Sequence, residues 1–274
     1  MNNTEPGRWA LWLSFLLAVI LATASLGGLF LVSTYAKETR MQAALGIGND
    51  VGNLVVTVPV LVIAAILALR GSVAARLVWL GTLAYLFYDF LNYALAIHFN
   101  SMFLAYCGVL GLSFYALVGS LLALPIPAIA RRYGPRTPVK TTAVVLLMMS
   151  LVTILHWLWE IIPALLAGRV PHTVRDSGLL TEAVAVLDLA FGVPAFVIAA
   201  ILLLRRKPLG FVLGPVVLTF LVLSSLVLAP MGIVMARRGF EAGHALFAIG
   251  LGIAAGSAVL LGLFLREGSL SKAA

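Results

Sequence analysis

The sequence predicts an all-α, polytopic transmembrane bundle of about eight helices, built as two parallel four-helix repeats. Three observations predict it. Hydrophobic residues make up 62% of the 274 positions and charged residues only 10%, against about 25% charged in soluble domains. Apolar runs of bilayer-spanning length, about 20 residues each, follow one another with little room for a separate soluble domain. Finally, the stretch Asn53 to Arg70 returns as Asp188 to Arg205. Both copies contain Val-Ile-Ala-Ala-Ile-Leu and end on Leu-Arg, with Pro59 matched by Pro194 and Arg70 by Arg205. A constant offset of about 135 residues is what a duplicated unit leaves behind.

The first helix is expected from about Trp9 to Val32. Ala22-Thr-Ala24 also fits a signal-peptidase site, but the run stays apolar through Leu31, which favours a retained helix. A polar segment, Ser33 to Asp50, precedes the second helix, about Val51 to Leu69. Arg70 to Arg76 turns the chain into the third, about Leu77 to His98, whose later part is polar: Tyr85, Tyr88, Asp89, Asn92 and Tyr93. The fourth runs from about Met102 to Leu124. Four prolines and a glycine between Pro125 and Pro138 forbid a continuous helix and mark a linker. The expected division is therefore 1–124, a first four-helix repeat; 125–140, a cytoplasmic linker; and 141–274, a second four-helix repeat. The fifth to eighth helices fall at about Thr142 to Leu166, Glu182 to Leu204, Phe211 to Ala236 and Phe240 to Leu265. Because four is even, the two repeats face the same way.

Charge sets the orientation. Twelve of the 18 lysines and arginines, Arg8, Arg70, Arg76, Arg131, Arg132, Arg136, Lys140, Arg205, Arg206, Lys207, Arg266 and Lys272, fall on one side. The positive-inside rule makes that side, with both termini, cytoplasmic. The net charge of +8 lies in short clusters at helix ends, without the basic platform that nucleic acid needs. A single cysteine, Cys107, excludes an internal disulfide and a Cys-x-x-Cys redox pair.

Ionisable groups within the hydrocarbon are expensive and need a partner, water or a purpose. The candidates are Asp89, His156, Glu160 and Asp188, with Asp50, His98, Glu241 and His244 nearer the surface. In the predicted orientation all fall in the outer half, above an apolar floor that offers only hydroxyls such as Ser14, Thr82, Ser150 and Ser257. This points to an extracytoplasmic-facing polar pocket for a small or lipid-derived ligand, lined by Asp89, His156, Glu160 and Asp188 with Asn92, Tyr88 and Asn53. Tyr85, Asp89 and Asn92 share a helix face, with Tyr88 beside it. His156 and Glu160, four apart, also share a face. They suit a hydrogen-bonded couple, general acid/base work or, with Asp188, metal ligation. Asp188 stands before Pro194 where the first copy has Asn53; proline removes a backbone donor and leaves a carbonyl free nearby. Trp157 and Trp159 suit packing better than a stacking box.

The phosphate loop, the His-Glu-x-x-His zinc helix and the nucleophile elbow are missing, and lone histidines on separate helices are weak grounds for haem. No cofactor is assigned. Transport of a small solute, proton coupling, metal- or acid/base-dependent catalysis and a structural or accessory role stay open beside ligand binding. The expected partners are the bilayer and that small-molecule or lipid ligand.

The runs Gly48 to Asn53, Arg70-Gly-Ser72, Tyr88 to Tyr93, Phe99 to Tyr106 and Leu187 to Phe191 resemble those of uncharacterised bacterial multi-pass inner-membrane proteins. The resemblance covers most of the chain, Asp50 to Arg205 best. It implies residence in a bacterial inner membrane and carries no activity.

Overall fold

A computed structural model describes residues 8–270. Eight helices in it are long and apolar enough to cross a membrane: α1 (Arg8–Phe30), α2 (Arg40–Leu69), α3 (Val73–Ala96), α4 (Phe103–Leu122), α5 (Val139–Leu166), α6 (Ala183–Leu204), α7 (Pro208–Arg237) and α8 (Ala242–Leu270). No strand occurs among the described residues. The linker holds one short helix, Ile126–Ala130, and the loop after α5 holds another, His172–Ser177. Eight crossings return the chain to the side on which it began.

One boundary differs in a way that matters. The polar segment Ser33 to Asp50 reads from sequence as a loop, yet α2 begins at Arg40. Thr39 caps it, its side chain accepting from the Gln42 amide, which satisfies one of the donors a helix start leaves free. The polar residues that follow are helical because they point into the bundle: Gln42, Asn49, Asp50 and Asn53 are all buried.

Both α2 and α6 carry a π-helical turn, at Asn53–Thr57 and Asp188–Gly192. Each is followed by a regular helix of 12 residues that opens on Val-Pro. The amide of Val58 reaches back five residues to the Asn53 carbonyl, and that of Val193 to the Asp188 carbonyl. Proline lacks the next amide and its ring crowds the preceding turn; a wider turn relieves that crowding. The two helices also end alike, with Arg70 at φ −80°, ψ 4° and Arg205 at φ −79°, ψ 2°.

Packing centres on α3 and α7, the most buried spans. In a bilayer, helices gain little by hiding apolar side chains from one another, so close backbone approach matters more. Glycines provide it. A Cβ on Gly81 of α3 would run into Thr219 and the Val216 carbonyl of α7, and one on Gly48 of α2 into the Met231 backbone. Gly232 of α7 and Gly243 of α8 face each other, each leaving no space for a Cβ beside the other's carbonyl.

The two halves close differently. In the first, α1 packs on α2 and α4, and α3 on α2 and α4, so the four helices form a ring. In the second, α5 packs on α6, α6 on α7 and α7 on α8, but there is no comparable packing between α5 and α8. At the end of the bundle where α1 turns into α2, Glu38 pairs with His98 at 3.0 Å and accepts its backbone amide at 2.8 Å, tying the α1–α2 loop to the α3–α4 loop.

Candidate functional site

Helix α3 presents polar residues on two faces. Tyr85, Asp89 and Tyr93, spaced by four, point into the first half; Tyr88 and Asn92, also spaced by four, point toward α6. This corrects the grouping of Tyr85, Asp89 and Asn92 on a single face.

On the first face lies a buried network. The Asp89 carboxylate accepts from Asn53 Nδ2 at 2.7 Å and from Asn49 Nδ2 at 2.9 and 3.1 Å. Tyr85 donates to Asn53 Oδ1 at 3.1 Å, on the side chain's other end. Asn49 also meets the Tyr93 hydroxyl at 3.1 Å, and that hydroxyl reaches Asp50 Oδ1 at 3.3 Å and the Gly46 carbonyl at 3.2 Å. Tyr35, from the α1–α2 loop, donates to Asp50 Oδ2 at 2.5 Å. Burial, then the Asp50 carboxyl beside it, holds the Tyr35 hydroxyl well above the ordinary phenol range, which keeps it a donor. A continuous chain thus runs Tyr35, Asp50, Tyr93, Asn49, Asp89, Asn53, Tyr85. Asp50 is 1% exposed and Asp89 8%, and neither forms an ion pair among the described residues.

On the second face, Asp188 of α6 accepts from Tyr88 at 2.7 Å through Oδ1 and from Trp157 Nε1 of α5 at 2.8 Å through Oδ2. The carboxylate is half-buried and has no ion-pair partner either. Two hollows lie nearby; Asp188 itself lines neither, but its chain neighbour Leu187 lines both and its partner Tyr88 lines the first. An apolar cavity of about 160 Å³ lies between α3, α4, α6 and α7, lined by Tyr88, Leu187, Phe191, Phe196, Val216 and Phe220 among others. A second of about 450 Å³ opens between the end of α3 and the start of α6, with Asn92, His98, Thr181 and Leu187 in its wall. Leu187 is in the wall of both, so they adjoin as one cleft along the α3–α6 boundary, mostly apolar throughout, with Asn92, His98 and Thr181 as the polar residues at its mouth. Asn92 Oδ1 is buried at this wall without a hydrogen-bond partner.

The expected single pocket is therefore divided. Asn53 and Asp89 sit in the closed network, whereas Tyr88 and Asn92 line the cleft and Asp188 adjoins it through its bond to Tyr88. Glu160 is engaged elsewhere, accepting the Thr173 amide at 2.7 Å at the start of the short helix His172–Ser177. His156 is exposed and stacks edge-on against Trp157, 4.8 Å between ring centres. No group of three or more His, Cys, Asp or Glu side chains close enough to hold a metal ion occurs among the described residues, so His156, Glu160 and Asp188 do not assemble into a ligand set. Glu241 and His244 are exposed at the outer end of α8.

Sequence reasoning missed the central member of the network. Asp50 was placed near the surface because α2 was started at Val51. The signal was present: Asn49 and Asn53 are four apart, as are Tyr85, Asp89 and Tyr93, and two helices with polar residues at that spacing can face each other. Trp157, read as packing, makes a direct hydrogen bond to the cleft carboxylate.

Composition, eight apolar spans and buried polar clusters define an integral, multi-pass α-helical membrane protein. No protein-family model, no curated protein and no solved structure matches the chain.

Proposed function

We propose that this protein binds a lipid-derived amphiphile in the α3–α6 cleft, entering from the outer leaflet of a bacterial inner membrane, with both termini on the cytoplasmic side. One observation carries the reading: the two hollows share Leu187, and Tyr88 in the wall of the first donates to the half-buried Asp188 carboxylate, which has no ion-pair partner among the described residues. Ligand sites are concave, mostly apolar, and oriented by a few polar groups, and this cleft has that make-up. An acyl or prenyl chain would occupy the part lined by Phe191, Phe196 and Phe220. The headgroup would lie at Asp188. Each Asp188 oxygen already accepts one donor and retains a lone pair, so the headgroup it selects is a donor, a hydroxyl or an ammonium.

The repeat supports the same location. Two π-helical turns at equivalent positions, each before a Val-Pro pair, favour duplication of a four-helix unit, and π-helical turns are frequent at functional sites. The second copy places an acid where the first has an amide. The orientation rests on the distribution of lysine and arginine, which puts the mouth at His98 and Thr181 on the side opposite the basic loops.

The test is lipid analysis of protein purified in mild detergent. Wild type should retain a defined lipid class through size exclusion, and Asp188→Asn should lose most of it with little change in thermal stability. Retention of the same lipid by the variant, or only bulk membrane lipid in both, would count against the proposal.

A further inference from the structure

The closed network in the first half holds two carboxyl groups with no cation, and their surroundings differ in kind. Asp89 is met by amide nitrogens from Asn49 and Asn53. An amide NH2 group only donates, so those contacts suit an ionised carboxylate; the one hydroxyl beside it, Tyr85, is already engaged as donor to Asn53 Oδ1. Asp50 is met by hydroxyls, Tyr35 at Oδ2 and Tyr93 at Oδ1, and a hydroxyl accepts as readily as it donates. The Ser25 hydroxyl, fully buried and without a geometric hydrogen bond of its own, adjoins the same carboxyl from α1. We propose that Asp50 carries a bound proton in the resting protein while Asp89 stays ionised, so that the first half is a proton-binding site beneath the Tyr35 loop.

Counting donors and acceptors supports the assignment. With Asp50 protonated, Tyr35 donates to Oδ2 and the acid proton on Oδ1 goes to the Tyr93 oxygen. Tyr93 then gives its own proton to the Gly46 carbonyl and accepts from Asn49; each of these four contacts has one proton, and only the longer Tyr35–Tyr93 hydroxyl contact, 3.4 Å, has none. With Asp50 ionised, Tyr93 must turn its one proton to Asp50, and Gly46 O loses that donor. Two adjacent buried anions would also lack any compensating charge, which is costly in a medium of low dielectric. Other titratable or charged groups facing Asp50 are few. Tyr35 and, above it, the Glu38–His98 pair come from the loops, and Asp89, Tyr93 and Tyr85 come from α3. Tyr106 comes from α4, whereas α1 and α7 present only neutral residues here, Ser25 and Gly28, and Val227, Pro230 and Met231. The inference stands apart from the cleft, which takes no part in it.

Infrared spectroscopy tests it, because a protonated carboxyl has a C=O stretch that shifts in heavy water and is separate from that of a carboxylate. Wild type at neutral pH should have such a band; Asp50→Asn should abolish it and Asp89→Asn should leave it. Tyr35→Phe should shift its frequency, since Tyr35 donates to Asp50 and not to Asp89, and this variant gives the assignment even where Asp50→Asn fails to fold. A band lost only in Asp89→Asn, a band indifferent to Tyr35→Phe, or no protonated band together with sodium-dependent stabilisation of the wild type would overturn the proposal.

Discussion

Asn53 and Asp188 stand at the same point of two similar helices, each opening a π-helical turn before a proline, yet their surroundings are opposite. Asn53 is fully buried in a ring of four helices, its two ends bonded to Asp89 and Tyr85. Asp188 is half-buried on a cleft, in a half where the last and first helices do not close on each other. Both draw on α3: Asn53 bonds Tyr85 and Asp89, and Asp188 bonds Tyr88, its second donor Trp157 coming from α5. The contrast teaches that one helix geometry serves two ends. Where the ring is shut, an amide that both donates and accepts completes a network. Where it is open, an acid with spare lone pairs faces a hollow.

Exchanging the two residues breaks the comparison most sharply. Asn53→Asp would put a carboxyl oxygen where a donor now sits 2.7 Å from Asp89. An uncompensated buried charge costs about 3 to 5 kcal/mol, so chemical denaturation in detergent should register a loss of that order or failure to fold. The reverse exchange, Asp188→Asn, should stay within about 1.5 kcal/mol, because the amide oxygen keeps the Trp157 Nε1–H bond and the amide nitrogen can donate to the Tyr88 hydroxyl, so that only the Tyr88 proton loses its acceptor at a half-buried position. Equal losses in the two variants would mean that the halves are not differently used.

A smaller effect sharpens the same contrast. Tyr85→Phe strands Asn53 Oδ1 in a dry interior and should destabilise by about 1 to 3 kcal/mol, the cost of an unsatisfied buried group. Tyr88→Phe removes one of two donors from a carboxylate that the open mouth can hydrate, and about 0.5 to 1.5 kcal/mol is expected. Thermal unfolding of the two variants side by side should place Tyr85→Phe lower.

Much of the fold was legible in the sequence. Spans such as Thr142 to Leu166 differ from the structure only by a few residues at their ends, since a long apolar run in a bilayer has little choice but helix. The match between Asn53–Arg70 and Asp188–Arg205 also led to equivalent backbone features. What stayed hidden was the pairing of helices. Hydropathy makes Arg40 to Asp50 a loop, because it scores Asn49 and Asp50 as solvent-facing and cannot register that Tyr93 and Asp89 wait opposite. Likewise, depth alone grouped Asp89, His156, Glu160 and Asp188 in one pocket. Depth says nothing of azimuth, and α3 turns Asp89 away from Asp188 while Tyr88, one residue earlier, turns toward it.

The account rests on the cleft being a selective site rather than ordinary lipid-facing surface. A photoreactive amino acid at Leu187, 5% exposed and common to both hollows, can be compared with one at Ile198 of the same helix, 51% exposed and in the wall of neither. After illumination in native membranes, the account predicts one lipid class enriched among adducts at position 187, and the bulk lipid composition at 198. The same bulk mixture at both positions, or no lipid adduct at 187, would contradict it.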